Sequence, residues 1–172
     1  MLVVAATDRE LARVRGFETF VCGVGPVDAA ARTARMLAER RPDGVLHVGV
    51  AGSRLLETLT VVLGSESVYS DLNAAVAVVD RLVPDAVLFD RVRAALPDAV
   101  VAPIATSAAV GGGAHAVEAM EGFAVLRSCA LAAVPAVELR VVSNSPDERD
   151  RSKWRFEEAF AVLGAVVERV LR

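Results

Sequence analysis

The sequence predicts an α/β fold, a mostly parallel sheet with helices packed on it, and three observations lead there. Short continuous apolar runs alternate with amphipathic stretches in the order β-α-β-α-β, joined by short crossovers, which is the pattern of a parallel sheet under helices. The apolar content of 54% comes mostly from Ala and Val rather than aromatics, which suits close helix-on-sheet packing. Glycine-bearing turns follow two of the strands, and open α/β sheets place ligands outside the carboxyl ends of strands. A chain of 172 residues is read as one domain spanning 1–172, large enough to bury a core.

Met1–Ala6 is a continuous apolar run, the mark of a strand covered on both faces. Thr7 follows as an N-cap with Glu10 three residues on, the spacing of a capping box. A strand over Phe17–Val24 ends in Gly23-Val24-Gly25-Pro26, and a helix runs from Val27 to Arg40 with apolar residues at helical spacing. Such a turn can bring backbone amides to an anion, as in a fragment of a dinucleotide fingerprint, or be a tight turn and nothing more. Gly44–Val50 is a third strand with His47 inside it as a core residue, and Ala51-Gly52-Ser53 is a small-residue turn.

Leu59–Tyr69 forms the next strand. Beyond it, Val76–Val83 suits strand or helix, Leu88–Leu96 a helix, and Val100–Ile104 a strand closing at Thr106-Ser107. Gly111-Gly112-Gly113 marks a loop. A helix over Val117–Ala132 carries Glu121 and stops before Pro135. The strand Val134–Val142 is interrupted by Glu138 and Arg140, which suggests an exposed edge or an ion pair at a barrel-like rim. It leads through Ser143-Asn144-Ser145-Pro146 to a terminal helix, Phe156–Arg172.

Composition narrows the function classes. The net charge is −3 with acids and bases interspersed, so no basic stripe points to nucleic acid. Gly, Pro or charge breaks every apolar run short of the ~20 residues of a membrane span. The opening LVVAATDRE reads as a strand and not as a leader peptide, so a cytoplasmic protein is expected. Cys22 and Cys129, each in an apolar run, are read as buried free thiols.

Six stretches in order carry a family resemblance: AATDRE, GVGPVDAA, HVGVAGS, GSESVYSDL, EAMEGFAV and LRVVSNSPDERDRSKW. On these the chain resembles the purine nucleoside phosphorylase and nucleosidase superfamily, and within it the futalosine hydrolase branch. The ending SN…RDR..W separates that branch from the methylthioadenosine/S-adenosylhomocysteine one, whose comparable loop resembles SD.AD. The resemblance implies a three-layer αβα, nucleoside phosphorylase-like fold with a mostly parallel or mixed central sheet. It also implies a homodimer or higher homo-oligomer.

By the same resemblance Glu10 matches the acid that positions and deprotonates the attacking water. Met120 and Glu121 match the pair that packs under the ribose and accepts its hydroxyl hydrogens. Val50, Ala51 and Gly52 match backbone near water and sugar, and Asn144 falls where the methylthioadenosine enzymes have a base-protonating aspartate. The chain departs from the family by a shortening within Leu72–Val117. Its Thr106–Ala116 loop carries no aromatic residue, so Tyr69 or Phe123 would replace the base-stacking ring, or a neighbouring subunit would complete the pocket.

Those residue types suit the chemistry. N-glycoside cleavage develops positive charge on the sugar and negative charge on the departing base. An ionised Glu121 on the ribose hydroxyls supplies charge-assisted hydrogen bonds, and Glu10 as general base is worth typically ~10²–10⁴-fold. A carboxamide at Asn144 both donates and accepts, which suits a 6-oxopurine, whereas an aspartate suits a 6-aminopurine. The plainer readings are a cap at Glu10, a helix-start acid at Glu121, a turn former at Asn144, a salt-bridged solvated loop at Arg149, Asp150 and Arg151, and an anchor for the last helix at Trp154.

The expected activity is hydrolysis of the N-glycosidic bond of futalosine to hypoxanthine and dehypoxanthinyl futalosine, a step of menaquinone biosynthesis, with no metal and no organic cofactor. The alternatives are a methylthioadenosine/S-adenosylhomocysteine nucleosidase, a purine nucleoside phosphorylase, or a shortened non-catalytic nucleoside-binding or assembly subunit.

Overall fold

A computed structural model describes residues 1–111 and 115–172 of the chain. The strands are β1 (Leu2–Ala5), β2 (Thr19–Val21), β3 (Val45–Ser53), β4 (Val61–Tyr69), β5 (Arg81–Leu82), β6 (Val100–Thr106), β7 (Val117–Ala119) and β8 (Ala136–Asn144). The helices are α1 (Asp8–Leu11), α2 (Pro26–Glu39), α3 (Ala86–Ala95), α4 (Gly122–Leu131) and α5 (Phe156–Leu171), with one 3-10 turn at Arg151–Lys153. The sheet order is β2-β1-β3-β7-β6-β4-β5, and β8 pairs with both β3 and β4.

Mixed pairing follows from that order. β1 runs parallel to β2 and β3, β3 to β8, and β4 and β7 to β6. The β3–β7, β4–β5 and β4–β8 pairs are antiparallel. Five strands close on themselves in the cycle β3-β8-β4-β6-β7-β3. β3 makes this possible by changing partner along its length, pairing with β1 over Leu46 and His47 and with β7 over Gly52 and Ser53.

Alternation along β1 buries both of its faces, as its continuous apolar run requires. Val3 and Ala5 join Leu46, Val48, Leu139 and Val141 in a cluster completed by Leu88 and Val92 of α3 and Leu163 and Val167 of α5. Leu2 and Val4 join a second cluster with Met36 and Leu37 of α2 and Val125 and Cys129 of α4. Burying a side chain such as Leu163 stabilises the fold by about 1.5–3 kcal/mol. Cys22 and Cys129 are buried free thiols, and burial pushes both up to about 12.

Several boundaries differ from the sequence expectation. Ala51-Gly52-Ser53 is not a turn: β3 continues through it, with a register shift between Ala51 and Gly52 where Gly52 meets Asn144. The expected helix over Val117–Ala132 begins only at Gly122, because Val117–Ala119 is drawn into the sheet by β3 and β6. Of Val76–Val83, only Arg81–Leu82 is strand. Glu138 and Arg140 do not lie on an exposed edge; they form the ion pair of the second alternative, at 2.9 Å, buried and not at a rim. β8 is flanked by two strands, and all nine of its residues are buried. In the expected Gly111-Gly112-Gly113 loop, Gly112 and Gly113 lie outside the described residues.

Candidate active site

The carboxyl ends of β1, β3 and β8, together with β7 and the start of α4, surround a cavity of about 280 Å³. Glu10, Val50, Ala51, Gly52, Met120, Glu121 and Asn144 all line it. Tyr69 and Phe123 do not. Their rings stack on each other at 5.3 Å, and the Phe123 N–H is committed to Thr106 Oγ1 at 2.8 Å. The aromatic side chains in the lining are Trp154, Phe156 and Phe160, from the last loop and α5.

Glu10 serves the backbone and the cavity at once. The capping box is formed, with Thr7 N–H and Thr7 Oγ1 donating to Glu10 Oε2 at 3.0 and 2.9 Å. Val50 N–H donates to Glu10 Oε1 at 3.1 Å, which ties α1 to the end of β3. A carboxylate has about four lone-pair positions, so three donors leave one for a ligand or water.

Glu121 makes no cap to α4 with its side chain. Its Oε1 instead accepts from the N–H of Gly25, at 3.0 Å. Gly25 has a φ of +86° and sits just before Pro26 opens α2, a conformation suited to glycine. The Gly23–Pro26 turn therefore presents its amide to a carboxylate of the same chain, which answers the dinucleotide alternative. Burial pushes the Glu121 carboxyl above its ordinary value, opposed by the Arg140 guanidinium and the Gly25 N–H.

Behind these acids lies a buried charge network that the sequence reading placed at a rim. Arg140 has no exposed surface. Its Nε donates to Glu138 Oε1 at 2.9 Å, and its Nη2 lies 2.6 Å from His47 Nε2. His47 Nδ1 faces the carbonyl of Val4 at 3.1 Å, so Nδ1 carries the hydrogen and Nε2 accepts from the arginine. Burial and the adjacent guanidinium hold His47 well below its usual range, as a neutral ring. Burial works against the charge on Arg140, but Glu138, Glu121 and Glu10 outweigh it and raise its pKa. Among the described residues Arg140 Nη1 has no hydrogen-bond partner, and it stands 3.7 Å from Glu121 Oε2. Gly49 leaves room for this: a Cβ there would run into both the Arg140 guanidinium and the Glu10 carboxylate.

Asn144 ends β8 with its amide partly used. Its Oδ1 accepts from Ser143 Oγ at 2.8 Å and its Nδ2 donates to Ser145 O at 3.1 Å. One N–H and one lone pair remain for a ligand. Trp154 anchors its loop, donating from Nε1 to Glu148 O at 3.0 Å, and also faces the cavity beside the Phe156 ring, 5.5 Å away. Sequence reasoning missed Arg140, Phe156 and Phe160. For Arg140 a signal existed, two opposite charges on one face of an otherwise apolar strand.

The arrangement can grip a small polar molecule between two carboxylates on one side and a carboxamide on another, with an apolar wall at its end. Among the described residues, no group of three or more His, Cys, Asp or Glu side chains could hold a metal ion. No described helix is long and apolar enough to cross a membrane.

Comparison with known proteins gives sequence relatives and structural neighbours. The chain is 31% identical over 182 aligned positions to a futalosine hydrolase of Streptomyces coelicolor, covering 86% of this chain and 75% of the relative. A futalosine hydrolase of Thermus thermophilus is 43% identical over 54 residues, 31% of this chain and 24% of the relative. Among solved structures, a 5'-methylthioadenosine/S-adenosylhomocysteine nucleosidase from Neisseria meningitidis, in complex with methylthio-immucillin-A, matches with a TM-score of 0.87 at 20% identity, over 99% of this chain and 97% of that one. A Helicobacter pylori nucleosidase with 5'-methylthioadenosine in its active site matches with a TM-score of 0.88 at 15% identity, over 99% and 96%. At such identities the structural likeness carries the fold alone. No protein-family model matches the chain.

Proposed function

Because the chain belongs to the futalosine hydrolase family, we propose that it hydrolyses the N-glycosidic bond of futalosine, releasing hypoxanthine and leaving dehypoxanthinyl futalosine. The observation that carries the reading is the convergence of Glu10, Met120, Glu121 and Asn144, far apart in the chain, on one cavity.

In this reading the ribose lies over Met120, with its hydroxyls donating to the free oxygen of Glu121. A water held by the remaining lone pair of Glu10 attacks the anomeric carbon as the bond to the purine breaks, and Glu10 takes its proton. The purine leaves with the bonding pair as an anion that takes up a proton from solvent to become hypoxanthine. The positive sugar is favoured by the carboxylates around it. The unused N–H and lone pair of Asn144 pair with a 6-oxopurine, and the wall of Trp154, Phe156 and Phe160 takes a flat apolar extension of the substrate.

Hydrolysis is favoured over phosphorolysis by the charges. Among the described residues the cation in the lining is Arg9, and its guanidinium is paired outside with Glu157 at 2.7 Å. A phosphate clamp calls for clustered cations. The chain is read as one domain of three-layer αβα type, a reading supported by helices in both core clusters. It is also read as a homodimer or higher homo-oligomer, supported by the exposed valines Val76, Val79, Val83 and Val87 along one segment.

The test is incubation of the purified protein with futalosine, inosine and methylthioadenosine, with and without phosphate. Hypoxanthine released from futalosine alone, at a rate independent of phosphate, is the expected result. Release that requires phosphate, or adenine release from methylthioadenosine as the faster reaction, would overturn the assignment.

A further inference from the structure

We propose that Glu138, with His47, is a positioning residue that holds the Arg140 guanidinium just short of Glu121, so that one Glu121 oxygen stays free for the ligand. The role of Glu121 in this statement rests on the function proposed above.

An unrestrained arginine beside a buried glutamate would close onto it, because a bidentate guanidinium–carboxylate pair is the strongest arrangement open to both. Arg140 does not do so. Its Nε is taken by Glu138 at 2.9 Å and its Nη2 by His47 at 2.6 Å, and both restraints come from side chains without meaningful exposure. What is left is Nη1, 3.7 Å from Glu121 Oε2, beyond hydrogen-bond reach yet close enough for its charge to act. Among the described residues, Arg140 Nη1 and Glu138 Oε2 are buried without a hydrogen-bond partner, so Nη1 stays unpaired although an acceptor stands 3.7 Å away.

Packing confirms that the position of Glu138 is built in. Gly122, the first residue of α4, has no side chain, and a Cβ there would overlap the Glu138 carboxylate. On its other side, Gly64 of β4 leaves space against the Glu138 Cβ. The charged and titratable groups that Glu138 shares this network with are Arg140 on its own strand, His47 on β3, Glu121 at the start of α4 and Glu10 on α1, with the Cys22 thiol beside Glu121. Arg140 is the cation that the pKa shift of Glu121 registers, so where its guanidinium is held decides how much of its charge, and whether a hydrogen bond, reaches Glu121.

The experiment compares Glu138→Leu and Glu138→Gln with the wild-type protein by crystallography and by the pH profile of futalosine turnover. In Glu138→Leu the Nη1–Oε2 separation is expected to fall to hydrogen-bonding distance. With Glu121 then tied to Arg140, kcat/KM falls by about 10²-fold and its acid limb moves to lower pH. Glu138→Gln keeps an acceptor for Nε, so the separation and most of kcat/KM are retained. Its acid limb still moves lower, because a negative charge that raises Glu121 is gone. An Arg140 that has not moved in Glu138→Leu would overturn the proposal whatever the substrate. Should Glu138→Leu fail to fold, the same crystallographic measurement on His47→Leu, which frees Nη2, decides, and an Arg140 that has not moved overturns the proposal. Wild-type protein inactive on futalosine counts against the function reading alone, and the crystallographic arm then decides this one.

Discussion

Glu121 carries opposite demands. Burial makes its charge costly, and its carboxyl titrates above the ordinary value of 4.5. A carboxyl with a raised folded-state pKa favours the fold below its unfolded value and loses that contribution as pH rises through the folded value. Glu121→Gln is therefore expected to melt at a higher temperature than wild type at pH 7, with the gain shrinking toward pH 4, while turnover is lost. Thermal melts at the two pH values check the first half and the hypoxanthine assay the second. Asn144→Asp is expected to shift relative kcat/KM from 6-oxopurine toward 6-aminopurine nucleosides by about 10- to 10²-fold, the worth of one buried hydrogen bond left unmade. An unchanged ratio between futalosine and methylthioadenosine would remove Asn144 from base recognition. The residues at this scale were legible where they stand in short motifs, as Glu10 after Thr7 and Glu121 after Met120 do. The aromatic partners were not legible, because Phe156 and Phe160 read as the apolar stripe of a terminal helix and only the tertiary packing of α5 turns them toward the cavity.

The elements that hold these side chains work through close approach. β3 passes the cavity with Gly49 and Gly52, and the space over Gly49 is filled by Arg140 and Glu10. Gly49→Ala is expected to cost about 1–3 kcal/mol in stability by overpacking. The displaced Glu10 and Arg140 should lower kcat/KM by about 10²-fold. Denaturant melts and steady-state kinetics on one preparation check both effects, and normal kinetics in a destabilised protein would separate Gly49 from the site. The apolar runs of β1, β3 and β8 and the stripes of α2 and α5 were readable from periodicity alone. β7 was not, since Val117–Ala119 is three residues long and owes its extended form to β3 and β6 on either side. The Glu138–Arg140 ion pair was legible but its burial was not: charge in a strand signals an edge unless partners from other elements are known.

For the whole molecule, the apolar surface is uneven. Val76, Val79, Val83 and Val87 are exposed along a segment that contributes only the two residues of β5 to the sheet. As a homodimer interface, this segment should give a light-scattering mass of two chains, and Val83→Glu should reduce it to one while the melting temperature changes little. A wild-type mass of one chain would remove the oligomer from the reading. Fold class and the cavity's place at the strand ends followed from the order of apolar runs. The return of β7 to β3 did not, because no local pattern announces which strands meet at a closure.

That closure governs how the molecule breathes. β8 is paired with β3 along its length and with β4 over Leu139–Val141, and both neighbours belong to the same cycle, so amides in this middle stretch exchange only when strands separate together. The floor under the cavity therefore opens only with that part of the sheet, and α1 is fastened to it by the Val50 N–H donating to Glu10. The charges set beneath the cavity thus keep their spacing for as long as the strands stay joined.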